Sequence, residues 1–203
     1  MTGSILIISG PSGAGKSSLI KEVLRHIPNA IFSISTTTRT PRREEIHGIN
    51  YFFTNKESFQ KDIDEGLFLE WANVHGNFYG TSIRQITEYL TSGKLVVLDI
   101  DVQGYMIAKE KLGKFITSVF VTTKDKKSLE ERLILRQADT KDTISIRLEN
   151  AQKEMVYINN YEYLIINDDF NTARDAILSI AVSCAYKCTL ADKDKFISRW
   201  LKN

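Results

Sequence analysis

The 203-residue chain sets 27 Lys and Arg against 25 Asp and Glu, a net charge of +2, which gives no general grip on nucleic acid. Its 42% hydrophobic content supports a sizeable core, in one α/β unit or a core with insertions. No 18-residue apolar span and no basic-then-apolar leader is present, so no membrane partner and a cytoplasmic location are expected. The two cysteines, Cys184 and Cys188, lie i, i+4 on an expected helix and read as a small apolar patch; without further ligands they predict no metal centre.

The first element is the apolar run Ser4 to Ser9, which reads as a buried parallel strand. Gly10-Pro11-Ser12-Gly13-Ala14-Gly15-Lys16-Ser17 follows and matches G-x-x-x-x-G-K-[ST] at every fixed position. Glycines at this spacing let successive N–H groups turn toward phosphate oxygens. Lys16 supplies a cation for the β and γ phosphates, and Ser17 a hydroxyl for Mg²⁺. Leu19, Ile20, Val23, Leu24 and Ile27 recur at helical spacing until Pro28, so a helix starts near Lys16 and aims its positive end at the same phosphates. The loop therefore predicts a nucleoside triphosphate with magnesium.

Residues 33–92 break the strand–helix rhythm and predict a small α+β insertion. Ser35-Thr-Thr-Thr-Arg39-Thr-Pro41-Arg42-Arg43 puts cations three apart in a segment that Pro41 keeps from becoming a helix. Arg39 and Arg42 on such a turn suit a bidentate grip on phosphate; a solvated basic turn would read the same. Ile49–Phe53 and Leu67–Val74 are short strand candidates. Thr54-x-x-Glu57 and Ser82-x-x-Gln85 read as capping boxes, with Gly66 and Gly93 as helix stops. In Phe68-Leu69-Glu70-Trp71-Ala72 a carboxylate sits within an apolar strand, where it needs a donor; alternation puts it on the side of Phe68 and Ala72. The adjacent donors of a guanine base, N1–H and the exocyclic amine, would satisfy it; an edge Glu facing water is the alternative. Gly76 to Thr81 reads as a tight turn bearing Tyr79 and Thr81, and Tyr51 adds a second phenol.

Beyond the insertion, Leu95–Ile100, Phe115–Val121 and Tyr163–Ile166 read as further buried strands. Helical patterns fall at 102–112 (stopped by Gly113), 126–136, 143–158 and 171–187. The βαβ rhythm predicts a parallel sheet with helices on both faces. Asp99 and Asp101 close the second strand, at the sheet end where ligands bind, and can orient the magnesium shell opposite Ser17. The polar stretch Arg136 to Thr143 predicts a loop over the phosphate site. Phe196, Trp200 and Leu201 in the tail predict a short docked helix.

Taken in order, Ser9 to Ser17, Ser35 to Arg42, Gly48 to Tyr51, Phe68 to Ala72, Gly76 to Gly80, Leu98 to Gly104 and Ile166 to Asp169 resemble the guanylate kinase family over nearly the whole chain, the tail from Cys184 excepted. The resemblance implies a three-layer P-loop nucleoside monophosphate kinase fold. It divides the chain into a nucleotide-binding core (1–32, 93–125 and 159–188), an acceptor insertion (33–92), a lid with flanking helices (126–158) and a tail (189–203). It further implies transfer of the γ-phosphoryl of ATP to GMP, or dGMP, by a magnesium-dependent monomer or homodimer.

Roles follow by position. Gly10, Pro11, Ser12, Gly13, Ala14, Gly15, Lys16, Ser17 and Ser18 would hold ATP, with Arg132 near the donor and Asn167 lining its adenine site. Ser35, Glu70 and Thr81 would read guanine, with Gly80, Asp99 and Asp101 beside it. Arg39, Arg42, Tyr51 and Tyr79 would grip the acceptor phosphate. Lys16, Arg39, Arg42, Arg136 and Arg147 would carry catalysis, with Ser17 on Mg²⁺ and Asp101 acting through water. Two positions depart from the family: Thr81 replaces a frequent serine and keeps its hydroxyl, and Gln137 replaces a frequent glycine. An anionic acceptor needs no general base, and His47 and His75 are expected at the surface. A non-catalytic binding module of the same fold and a kinase for another nucleoside monophosphate are the alternatives.

Overall fold

A computed structural model describes residues 3–74, 76–135, 141–187 and 193–202. The chain runs β1 (Ser4–Ser9), α1 (Lys16–His26), β2 (Ala30–Phe32), β3 (Thr36–Thr37), β4 (Phe52–Phe53), α2 (Lys56–Asp64), β5 (Phe68–Val74), β6 (Asn77–Ser82), α3 (Ile83–Thr91), β7 (Leu95–Asp99), α4 (Val102–Leu112), β8 (Ile116–Thr122), α5 (Lys126–Leu135), α6 (Lys141–Met155), β9 (Tyr163–Ile166), α7 (Phe170–Ser183) and α8 (Lys193–Trp200).

Five strands form a parallel sheet in the order β2-β7-β1-β8-β9. Both faces of β1 are buried, and alternation splits its side chains between two cores. Leu6 and Ile8 pack with Leu19 and Val23 of α1 and Ile177 of α7. Ile5 and Ile7 pack with Ile86 of α3 and Tyr105 of α4. The expected three-layer architecture is therefore present. Leu129, Leu133, Leu148 and Ala151 form a separate small core between α5 and α6.

A second sheet, β4-β3-β6-β5, lies in the insertion. Phe59 of α2 is fully buried, its ring stacked 4.4 Å from Phe68 and 5.4 Å from Phe78. The expected turn from Gly76 to Thr81 is instead strand β6, antiparallel to β5, because the reversal is completed at Gly76, whose N–H donates to Asn73 Oδ1. Asn55, not Thr54, caps α2: its side chain accepts from Ser58 N–H at 2.7 Å. Ser82 caps α3 as expected. After Gly66 and Gly93, Leu67 and Lys94 donate back to the Asp62 and Tyr89 carbonyls and close both helices.

Along the rest of the chain, α4 spans the expected 102–112 and β7 ends one residue early, at Asp99. The helix expected from 143 begins at Lys141, while Arg136, Gln137 and the segment to 140 lie outside the described residues, as do His75 and Cys188. Helix α7 gives way to a 3-10 turn at Cys184–Tyr186, and Cys184 is buried against the α1–α7 core. The tail helix forms as α8 but does not dock: none of its side chains is buried, and Trp200 is 69% exposed.

Removing the central ring of the insertion tests what holds it. Phe59→Ala should lower unfolding stability by about 3–5 kcal/mol in urea titration, as for other buried Phe truncations. A loss under about 1 kcal/mol would show that the aromatic stack is not its core.

Candidate active site

The loop between β1 and α1 crosses the carboxyl ends of the sheet strands. Its shape needs glycine at two points. Gly10 sits at φ 133°, where a Cβ would lie 2.0 Å from the Val121 carbonyl oxygen of β8. Gly15, at φ 96°, caps α1, and a Cβ there would strike Asn167 Nδ2 at 2.2 Å. Buried Asn167 donates from Nδ2 to the Ala14 carbonyl at 2.8 Å. Arg132 of α5 donates to the Asn167 carbonyl at 2.5 Å and to the Ala14 carbonyl at 3.5 Å. Both residues brace the loop. Arg147 of α6 donates to Ser12 Oγ at 2.9 Å. Lys16 folds over the loop and donates to the Gly10 carbonyl at 2.6 Å and the Pro11 carbonyl at 3.3 Å.

The loop walls a cleft of about 370 Å³, shared with Ser17, Asp99, Ile100, Asp101 and Glu154. Asp99 opens onto this cleft yet is hemmed in by protein, and that desolvation raises its carboxyl pKa against the pull of Lys16. Glu154 of α6 is pushed up by desolvation as well, lowered by Lys16 and raised by Asp101. A second cleft of about 850 Å³ continues from Asp101 and Glu154 along α6 to Tyr157. Asp101 has a structural duty beside the expected one, as its side chain caps α4 by accepting from Gly104 N–H at 2.8 Å.

Glu70 lies across from this cap. The register shifts between Phe68 and Glu70, so alternation fails there: Phe68 stacks on Phe59, while Glu70 lies against Gly104. A Cβ on Gly104 would come within 3.2 Å of Glu70 Oε2. Lys111 of α4 holds the shifted strand by donating to the Leu69 carbonyl at 2.8 Å. Thr81 Oγ1 donates to Glu70 Oε1. The pairings Thr36–Gly80 and Thr37–Tyr79 continue to place Ser35 beside Thr81. Desolvation raises the Glu70 pKa, Thr81 lowers it, Asp101 raises it and Lys111 lowers it.

In the same insertion, the Tyr51 and Tyr79 rings meet edge-on at 6.0 Å, and the Arg39 guanidinium lies 5.4 Å over Tyr51. Arg42 is exposed on the adjoining turn. Burial raises the Tyr51 pKa, which keeps its phenol a donor. The structure thus assembles two corners, Arg39–Tyr51–Tyr79 within residues 33–92 and Glu70–Thr81–Asp101 where that segment meets the start of α4. Sequence reasoning missed Glu45, which pairs with Arg39, and Glu154. Both were legible only as acids at turn and helix positions, each preceded by another charged residue, Glu44 and Lys153. Among the described residues no group of three or more His, Cys, Asp or Glu forms a metal cage.

The raised Glu70 pKa has a stability consequence. A carboxyl whose pKa rises on folding costs nothing below its unfolded value of about 4.3 and its full penalty above its folded value. Glu70→Gln should therefore raise the melting temperature at pH 8, with the gain vanishing near pH 4. Equal melting temperatures at pH 8 would contradict the desolvated carboxyl.

Comparison with known proteins agrees with this layout. The family model described as guanylate kinase matches residues 2–182. The guanylate kinase of Helicobacter hepaticus is 51% identical over 198 residues, covering 98% of both chains. That of Wolinella succinogenes is 48% identical over 198 residues, covering 98% of this chain and 92% of the relative. The likeness therefore extends through most of the tail, which the resemblance in sequence had left out. The solved guanylate kinase of Anaplasma phagocytophilum superposes with a TM-score of 0.73 at 28% identity, covering 93% of this chain and 89% of that one. With the family model spanning residues 2–182 and about half of all positions shared with a relative of matching length, the chain belongs to the guanylate kinase family.

Proposed function

We infer that this chain transfers the γ-phosphoryl group of ATP to GMP, or dGMP, giving ADP and GDP. The observation that carries the choice of acceptor is Glu70, a half-buried carboxylate facing Asp101 and Gly104 with one hydroxyl donor from Thr81. Its remaining lone pairs suit the N1–H and amino donors of guanine. Adenine would present a lone pair instead, and sites built on buried polar groups reject such mismatches by on the order of 10⁴. Ser35 and Thr81 flank this corner, with Gly80 and Asp99 in the acceptor site.

Arg39, Arg42, Tyr51 and Tyr79 hold the acceptor phosphate in this reading. Gly10 to Ser18 hold the donor phosphates, and Lys16 leaves the Gly10 carbonyl to reach them. Arg132 and Asn167 keep the loop in shape for the donor. Arg147, already against Ser12, and Arg136 close over the transferring group. The acceptor is an anionic phosphate oxygen, so no proton need be removed. The barrier is the approach of two polyanions, which positive groups from loop, turn and lid overcome by positioning and charge stabilisation. One such arginine contributes roughly 10³–10⁵ in rate.

The oxygen donors at the cleft fit a hard divalent ion: the Ser17 hydroxyl at the start of α1, with the Asp99 and Asp101 carboxylates opposite. Magnesium there would neutralise charge on the phosphates, with Asp101 acting through water. In the same proposal residues 1–32, 93–125 and 159–188 form the donor core, 33–92 the acceptor insertion, 126–158 the lid and 189–203 the tail. No helix among the described residues is long and apolar enough to cross a membrane. Action in the cytoplasm is part of the proposal.

An ADP-release assay with GMP, dGMP, AMP, UMP and TMP should give turnover with the guanine monophosphates alone. Turnover with none of them would favour a binding module, and preference for another base would refute the Glu70 assignment. Glu70→Ala should weaken GMP binding about 100-fold in calorimetry, for two lost charge-assisted hydrogen bonds, with ATP binding unchanged. Lys16→Met should abolish turnover and leave GMP affinity intact; normal turnover would remove the loop from catalysis.

A further inference from the structure

The acceptor-phosphate turn contains an acid that the reaction does not ask for. Glu45 lies against Arg39, with Oε1 accepting from Arg39 Nη2 at 2.7 Å, and both side chains are 16% exposed. Its other oxygen, Oε2, accepts from the Arg42 backbone N–H at 2.8 Å. The Glu45 N–H donates to the Arg42 carbonyl at 3.0 Å, so residues 42–45 are closed by backbone and side chain together. Arg39 Nη1 donates to the Thr40 carbonyl at 2.8 Å, and its guanidinium lies 5.4 and 5.9 Å from the Tyr51 and Phe53 ring centres. The pairing lowers the Glu45 pKa and raises that of Arg39, so the pair is ionised.

A carboxylate at this spot repels a phosphate, so charge alone would make its presence a handicap. We propose that Glu45 is a positioning residue for the acceptor phosphate: one carboxylate fixes the side chain of Arg39 and the backbone of Arg42, and so holds both cations of the turn in register before GMP arrives. This rests on the reading of Arg39 and Arg42 as the phosphate grip. A free arginine loses several rotors when it clasps an anion; here that loss falls on folding rather than on binding. Five N–H groups radiate from a guanidinium. Glu45 engages Nη2 and the Thr40 carbonyl engages Nη1, and the remaining N–H groups are those offered to phosphate oxygens. Ordering outweighs repulsion because the acid is spent on N–H groups of the turn itself.

The test compares ligands with and without the phosphate. GMP and guanosine affinities are measured by calorimetry on the full chain carrying E45A, E45Q, R39A or E45A/R39A, with folding checked by circular dichroism. E45A should weaken GMP at least 10-fold and leave guanosine within 2-fold. KM for GMP should rise alike, with kcat at saturating GMP within about 3-fold and KM for ATP unchanged. E45Q, which keeps an acceptor oxygen, should recover part of the loss. On the R39A background, E45A should cost less than it does alone, the remainder being the share that acts through Arg42. GMP bound as tightly or more tightly by E45A would make the carboxylate a competitor and overturn the proposal. Equal losses for GMP and guanosine would make Glu45 a structural residue of the insertion and overturn it too. Unchanged GMP affinity in R39A would overturn the phosphate-grip reading itself, a result distinct from either.

Discussion

The phosphate loop keeps its shape through one carbonyl. Ala14 O receives the Asn167 carboxamide from the end of β9, and Arg132 of α5 reaches both that carbonyl and the Asn167 backbone. Left-handed glycines let the backbone curl, but they do not by themselves keep it there; glycine has more ways out of a turn than any other residue. Two partners remote in sequence supply the constraint. The strand that leads into Asn167 is placed by its parallel pairing with β8, and β8 in turn brings Val121 O against Gly10. The sheet order thus appears at the site as a rigid loop facing an open cleft.

Electrostatics divides the site in a way that sequence position does not. Lys16 draws down the pKa of both Asp99 and Glu154, while Asp101 raises that of Glu154. The described lining of the cleft sets three acids against one cation. Asp101 belongs to both halves: it lines the loop cleft and raises the pKa of Glu70. Because the same side chain caps α4, the start of that helix links the loop cleft with Glu70.

Long, two-sided elements were legible from the sequence. Ser4–Ser9 and 102–112 carry enough apolar residues to be read, and Gly113 marked the end of the second. Strands β2, β3 and β4 hold only two or three residues each, too few to show any period, and they exist because neighbours pair with them. The shift at Phe68–Glu70 was hidden for a different reason. It depends on Lys111, over 40 positions away, holding carbonyls that a regular strand would have paired otherwise. Tyr51, Tyr79 and Arg39 were each visible as chemistry, and the structure brings them together. Glu45 was not, because a lone acid in a basic turn looks like solvated charge until its two partners are seen.

Helix α4 and strand β5 touch at both ends of the helix: the Glu70 carboxyl against Gly104, the Lys111 ammonium on the carbonyls of Phe68 and Leu69. Separating the two would admit water to all of these groups at once. The Glu70 carboxyl would then lose the crowding that raises its pKa and titrate like any surface glutamate. Protons and the union of insertion with core are therefore thermodynamically linked, and the ionisation of a single side chain reports whether the two halves are joined.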